Sequence, residues 1–137
     1  MACLSGIGMA GLLQGCVSSK TLTGKIVADD LVVSLSDFET RNGNEVYYKK
    51  YLVVYNDILQ YPICVYRFSE NEYSALWMRC THQGTELQVF GDKLQCPAHG
   101  SAFNSRGGVQ NGPADNRLRS FPITIRNNQL NISLKAV

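Results

Sequence analysis

The 137-residue sequence predicts one all-β domain of short antiparallel strands, arranged as a sandwich or a small barrel. β-branched and aromatic residues are concentrated in short runs, and clusters of Gly, Asn and Asp separate these runs. In the C-terminal part, apolar and polar residues alternate as they do along a half-buried strand. No stretch shows the sustained 3.6-residue apolar period of an amphipathic helix. A chain of this length, 45% hydrophobic and 18% charged, buries a real core.

The individual strands follow from the positions of these runs. They are predicted at residues 31–35, 46–55, 63–68, 73–78, 87–90, 93–95 and 117–126, with a returning strand at 130–134. Residues 37–44 are polar and predict a hairpin or loop. Gly91 in the Gly91-Asp92 pair favours a type II′ turn between two of the short strands. Phe121, Ile123 and Ile125 alternate and are placed on one face of their strand.

Charge and cysteine content exclude several classes of protein. The net charge of +2 is too small to indicate nucleic acid or an acidic membrane surface as the partner. No segment approaches the ~20 apolar residues that a membrane-spanning helix needs. The five cysteines do not indicate a disulfide framework, and Cys64, in an apolar run, is predicted to be a small buried hydrophobe.

Residues 1–20 have the character of an export signal, and residues 21–137 form the predicted folded domain. The segment is small and apolar up to Leu13-Gln14-Gly15-Cys16, which resembles the lipobox of bacterial lipoproteins, although Gln14 stands where a small residue is usual. No basic residue precedes Lys20, so our hypothesis is that the true start lies upstream and carried the basic residues of a signal, such as a twin-arginine pair. This predicts a periplasmic location in a bacterial cell envelope, with a lipid anchor at Cys16. The alternative is an apolar tail without a targeting role.

Two short segments contain both histidines of the chain and two of its cysteines. They read Cys80-Thr81-His82-Gln83-Gly84 and Cys96-Pro97-Ala98-His99-Gly100. The predicted hairpin between them brings its two ends together, so the two segments are expected to face one another across one metal centre. Tetrahedral zinc is one candidate, but zinc modules usually present a Cys pair and a His pair rather than two mixed pairs. A two-iron cluster is the other candidate, with the two Cys at one iron and the two His at the other.

The two segments resemble the two ligand boxes of the Rieske iron–sulfur family, and Gly112-Pro113-Ala114 resembles its proline loop. The resemblance covers residues 31–134. It implies a Rieske-type fold with a cluster-binding subdomain of two loops, and a [2Fe-2S] cluster as the cofactor. It also implies that Cys80 and Cys96 hold one iron, that His82 and His99 hold the other, and that Ser101 donates to a bridging sulfide.

The sequence departs from the quinol-oxidising branch of that family. Thr85 and Ala98 stand where those proteins have a cysteine pair that joins the loops by a disulfide, and Phe103 stands where they have a tyrosine that donates to a ligand sulfur. Hydrogen bonds to the sulfurs raise the potential of such a cluster by stabilising the added electron. The predicted potential is therefore below the top of the family range of about −150 to +300 mV.

The function that these residues predict is one-electron transfer. A Rieske oxygenase needs a second iron held by two His and a carboxylate, and both histidines are already used. The leading interpretation is the iron–sulfur subunit of a quinol-oxidising, cytochrome bc-like or related respiratory complex, with a cytochrome and a quinol-binding subunit as redox partners. The alternative is a stand-alone ferredoxin-like carrier that supplies an oxygenase or another oxidoreductase, which the missing disulfide and Phe103 favour. A zinc-stabilised interaction module is the alternative from a different class.

Overall fold

The computed structural model describes residues 19–135, which form an almost entirely β fold, as predicted. The predicted lipobox with Cys16 lies outside the described residues. The strands are β1 (Thr21–Thr23), β2 (Lys25–Val27), β3 (Asp30–Ser34), β4 (Glu39–Asn42), β5 (Glu45–Tyr48), β6 (Tyr51–Tyr55), β7 (Ile63–Ser69), β8 (Glu72–Trp77), β9 (Gln88–Phe90), β10 (Lys93–Gln95), β11 (Ala102–Asn104), β12 (Val109–Asn111), β13 (Ile123–Arg126) and β14 (Gln129–Ser133). A 3₁₀ helix, Leu35–Phe38, lies between β3 and β4.

The strands form three four-stranded sheets and one two-stranded hairpin. The sheets have the orders β1-β6-β7-β8, β13-β14-β3-β2 and β12-β11-β10-β9, and β4 pairs with β5. Neighbouring strands are antiparallel except β1 and β6, which run parallel with Thr21 opposite Val53. The third sheet carries the predicted metal site, since its strands β9, β10 and β11 flank both candidate segments.

The tight turns between neighbouring strands contain Gly or Asn at the positions where the backbone has a positive φ. Phe90 pairs with Lys93, so Gly91-Asp92 is a two-residue turn, and the φ of Gly91 is +62°. This agrees with the predicted type II′ hairpin. Between β13 and β14, Asn127 and Asn128 both have positive φ, as a type I′ turn requires.

Two predicted strands are shorter than the sequence pattern indicates. The run 46–55 is divided into β5 and β6 because the chain changes partner there: the Lys49 amide still donates to Phe38 O at 2.7 Å in register with β4, whereas Lys50 O accepts from the Arg67 amide at 2.9 Å in register with β7. The run 117–126 is a strand only from Ile123 onward, because the proline at 122 has no N–H for a ladder. Ile123 and Ile125 stand opposite buried Ile132 and Leu130, so these two residues share one face of the strand as predicted, although Ile125 is 37% exposed.

The buried side chains form two clusters, which we call the site core and the base core. The site core contains both candidate thiols and is completed by Val53, Cys64, Tyr66, Leu76, Met78, Leu87, Leu94, Phe103, Ala114 and Leu118. The base core is centred on Leu31, Phe38, Leu52, Ile63 and Leu130. Cys64 is fully buried, as predicted, and burial raises the pKa of its thiol. Within residues 19–135 no helix is long and apolar enough to cross a bilayer.

Candidate metal centre

Two loops with the same backbone pattern form the candidate site. Loop 1 (residues 80–85) follows β8, and loop 2 (residues 96–101) joins β10 to β11. In loop 1 the Cys80 amide donates to Thr85 O at 2.8 Å, and in loop 2 the Cys96 amide donates to Ser101 O at 2.7 Å. The fifth residue of each loop is a glycine with positive φ whose amide donates back to the cysteine carbonyl. The loops therefore present their first side chains in equivalent ways.

Cys80 and Cys96 lie side by side in the site core and form no disulfide. Their exposed fractions are 1% and 3%. Burial raises the pKa of the Cys96 thiol, but hydrogen bonds from the backbone amides of Ala98 and His99, and from the side chains of Cys80 and Thr85, outweigh it and leave this pKa below its usual value. Such an environment stabilises the thiolate, which is the form that binds a metal.

His82 and His99 lie on the solvent side of the thiol pair and are exposed. Their ring centroids are 5.4 Å apart, with an angle of 81° between the ring planes. The rings therefore meet edge to face at the tip of the two loops. Imidazole nitrogens in this position are accessible both to a metal within the loops and to a partner outside them.

The donor set fits a two-iron cluster. Its side chains form one buried thiol pair and one exposed imidazole pair, and a [2Fe-2S] centre of the Rieske type needs two protein ligands at each iron. In the described part of the chain, no three His, Cys, Asp or Glu side chains converge closely enough to hold a single ion. The pairwise arrangement is the one that a cluster with bridging sulfides requires.

The segment 111–116 covers the site and contacts both loops. The buried Ser101 Oγ accepts a hydrogen bond from the Ala114 amide at 2.9 Å. Thr81 Oγ1 donates to Asn116 O at 2.6 Å, and Asn111 Nδ2 donates to Gly100 O at 3.1 Å. This segment includes the predicted proline loop, and its contacts tie loop 1 to loop 2.

The three positions at which the sequence departs from the quinol-oxidising pattern surround the site. Phe103 is fully buried in the site core with both thiols. The Thr85 side chain hydrogen-bonds with Cys96, whereas Ala98 is exposed. No side chain at these positions offers a sulfur for a bond between the loops.

Tyr61 and Asn111 are site residues that sequence reasoning missed. Tyr61 Oη donates to Gly84 O of loop 1 at 2.6 Å from a position 23 residues upstream, and Asn111 makes the corresponding bond to loop 2. A tyrosine before Pro62 carries no sequence signal for such a contact. Asn111 stands directly before the Gly112-Pro113-Ala114 motif, and this neighbourhood is the one signal that pointed to it.

Comparison with known proteins identifies the family that this chain resembles. The chain matches the model of the Rieske [2Fe-2S] domain family over residues 38–122. The cytochrome b6-f complex iron-sulfur subunit 2 of Nostoc sp. strain PCC 7120 is 32% identical over 56 residues, which are 39% of this chain and 32% of that protein. The toluene-4-sulfonate monooxygenase system iron-sulfur subunit TsaM1 of Comamonas testosteroni is 30% identical over 79 residues, 51% of this chain and 23% of that protein. The matches thus span about a third and a quarter of the length of these curated relatives.

Solved structures share the fold. The cyanobacterial plasma membrane Rieske protein PetC3 from Synechocystis PCC 6803 has a TM-score of 0.53 and 25% identity, over 61% of this chain and 86% of that one. The ferredoxin of carbazole 1,9a-dioxygenase from Nocardioides aromaticivorans IC177 has a TM-score of 0.54 at 19% identity, over 76% of this chain and 95% of that one, and shows the fold alone.

The fold and the family match identify the class of electron-carrier domains that bind a [2Fe-2S] cluster. Since the family match covers more than half of the sequence, the chain belongs to the Rieske [2Fe-2S] domain family.

Proposed function

We propose that this chain transfers single electrons through a [2Fe-2S] cluster that Cys80 and Cys96 bind at one iron and His82 and His99 bind at the other. The observation that carries the proposal is the division of the donors into a buried thiol pair and an exposed imidazole pair. When bound, the cluster supplies a site that takes up and releases one electron. Because the imidazoles are exposed, a redox partner that binds at the tip of the two loops would lie close to the cluster.

The remaining residues have supporting roles in this proposal. The site core excludes water from the thiols, and the hydrogen bonds from the amides of Ala98 and His99 to the Cys96 sulfur favour its thiolate form. The Ser101 hydroxyl accepts from Ala114 and keeps its own hydrogen free to donate to a sulfide. Hydrogen bonds of this kind stabilise the reduced cluster and raise its potential.

As the host of this activity we favour a quinol-oxidising, cytochrome bc-like or related respiratory complex, with this chain as the iron–sulfur subunit. The sequence similarity to the cytochrome b6-f subunit and the export-like character of residues 1–20 support this assignment. It places the domain on the periplasmic side of a bacterial envelope, with Cys16 as the lipid-anchor residue.

A stand-alone carrier for an oxygenase or another oxidoreductase is the second candidate. It is favoured by Thr85, Ala98 and Phe103, because a site without the loop disulfide and the tyrosine hydroxyl has a lower potential. The similarity to the monooxygenase-system subunit TsaM1 points in the same direction.

Iron and acid-labile sulfide analysis, with electron paramagnetic resonance of the reduced protein, tests the cluster assignment. We expect two irons and two sulfides per chain, and a rhombic signal that Cys80→Ser abolishes. A colourless protein that contains zinc and no labile sulfide would overturn the assignment in favour of a zinc-stabilised module.

The host is tested in native membranes. Cys80→Ser should abolish quinol-dependent cytochrome reduction if the chain serves a quinol-oxidising complex, and Cys64→Ala is the matched control. Unchanged quinol oxidation together with loss of an oxygenase activity favours the stand-alone carrier. Intact-mass measurement of the native protein tests the anchor, since an unlipidated N-terminus ahead of Cys16 contradicts it.

A further inference from the structure

The two candidate ligand loops are held from outside in the same way. Gly84 is the fifth residue of loop 1 and Gly100 is the fifth residue of loop 2, and their φ values are +77° and +84°. The carbonyl of Gly84 accepts from Tyr61 Oη at 2.6 Å, and the carbonyl of Gly100 accepts from Asn111 Nδ2 at 3.1 Å. Each loop thus has one glycine carbonyl turned outward, onto a side chain that belongs to another part of the fold.

The direction of a carbonyl fixes the direction of the next amide. A trans peptide is planar, so its C=O and N–H point to opposite sides. Because Gly84 O points out towards Tyr61, the Thr85 N–H points inward, and because Gly100 O points out towards Asn111, the Ser101 N–H does the same. Thr85 O accepts from the Cys80 amide at 2.8 Å and Ser101 O accepts from the Cys96 amide at 2.7 Å, so both residues lie beside the two cysteines, and the Thr85 side chain also hydrogen-bonds with Cys96. In residues 19–135 neither amide donates to a backbone carbonyl.

We propose that Tyr61 and Asn111 are equivalent positioning residues, which aim the Thr85 and Ser101 amides at the sulfur atoms of the cluster and thereby raise its potential. This inference rests on the proposed cluster site. An N–H group that points at the cluster stabilises the reduced form, which has the additional negative charge, more than it stabilises the oxidised form.

The surroundings of Tyr61 show how its hydroxyl is kept in place. Its ring packs edge to face on Trp77 with centroids 5.3 Å apart, and the Arg79 guanidinium lies 6.0 Å from its centroid. A Cβ at Gly84 would be 3.3 Å from Arg79 Nη2, so loop 1 packs closely against the Arg79 guanidinium. Asn111 is held by strand pairing, because it stands opposite Ala102, and Ala102 is the residue that directly follows loop 2.

The test uses Tyr61→Phe and Asn111→Ala in the cluster-loaded protein. Tyr61→Phe removes the bond to Gly84 O, and Asn111→Ala removes the bond to Gly100 O together with a bond from the same Nδ2 to Gly112 O at 3.2 Å. Both variants leave all proposed ligands in place. We expect the equilibrium constant for reduction to fall roughly three- to tenfold in each variant, and a tenfold change is ~59 mV for a one-electron couple. Protein-film voltammetry measures this shift, and iron and sulfide content confirms that each variant is loaded.

Matched controls separate the potential from general stability. Tyr73→Phe removes a tyrosine bond to the Glu70 carbonyl, and Asn131→Ala removes an asparagine bond to the Thr124 carbonyl, both remote from the loops. The controls should leave the potential unchanged. If Tyr61→Phe does not retain the cluster, Asn111→Ala carries the same test on the other loop, because Asn111 is exposed and outside the core.

The outcomes distinguish this proposal from the cluster assignment. Loaded variants whose potential equals that of the wild type refute the positioning role and leave the cluster assignment intact, even if their melting temperatures fall. A wild-type protein that holds no cluster overturns both.

Discussion

Replacing Ser101 by alanine should change both the free energy of unfolding and the reduction potential of the cluster. The Ser101 side chain is fully buried, and its Oγ accepts the Ala114 amide at 2.9 Å. A hydroxyl also carries one donor hydrogen, which this geometry leaves for a sulfide of the cluster. Ser101→Ala therefore removes an acceptor from the covering segment and a donor from the cluster in one step.

The two losses have different magnitudes and different readouts. Ala114 is itself buried, so its amide loses its partner without gaining water, at a cost of about 1–3 kcal/mol in the free energy of unfolding. The donor bond is stronger towards the reduced cluster. If that difference is about 1 kcal/mol, the potential falls by ~40 mV, since 1.4 kcal/mol corresponds to ~59 mV for one electron.

Denaturant titration and protein-film voltammetry measure the two effects separately. Ser74→Ala is the matched control, because Ser74 Oγ donates to Ser105 O at 2.6 Å in a partly buried setting outside the loops. The control should lose stability and retain the wild-type potential. A Ser101→Ala protein that is destabilised but has an unchanged potential would refute the role of Ser101 as a donor to the cluster.

Two further substitutions address the thiols and the buried ring. The cluster should lose its visible and paramagnetic signals in Cys80→Ser and in Cys96→Ser. The control Cys64→Ala should retain these signals and lose roughly 1–2 kcal/mol in the free energy of unfolding. Signals that survive in either serine variant contradict the ligand assignment. Phe103→Tyr should raise the potential by roughly 30–60 mV if its hydroxyl reaches a ligand sulfur, because that bond favours the reduced state. A potential equal to or below that of the wild type contradicts this, and Tyr73→Phe controls for tyrosine chemistry elsewhere.

The sequence predicted those parts of the fold that depend on local patterns. The β9–β10 hairpin follows from Gly91 between two apolar runs, and the β13–β14 hairpin follows from alternation around two asparagines. The parallel pairing of β1 with β6 joins residues 32 positions apart, and no local pattern encodes such a contact. Likewise, the division between β5 and β6 lies where the chain changes partner from Phe38, at Lys49, to Arg67, at Lys50, inside a run that is rich in valine and tyrosine throughout.

The candidate site shows the same limit. Both histidines of the chain lie in the same two short segments as two of its five cysteines, so their spacing predicted the four candidate ligands. Tyr61 and Asn111 belong to residue types that are common in sheets and turns, and their importance comes from the carbonyls that they meet. The chemistry of the donors can be read from residue types, whereas the orientation of the loops depends on distant contacts.

The covering segment explains how two loops without a disulfide can remain in register. Thr81 of loop 1 and Gly100 and Ser101 of loop 2 are each joined by one hydrogen bond to residues 111–116, and together these bonds connect both loops. At about 1 kcal/mol each, three such bonds approach the 2–4 kcal/mol that is typical of a disulfide. The noncovalent connection holds the loops without placing a disulfide dipole beside the cluster. Thr85 and Ala98 are therefore compatible with an intact site of lower potential, because the segment that covers the cluster also provides the connection between the loops.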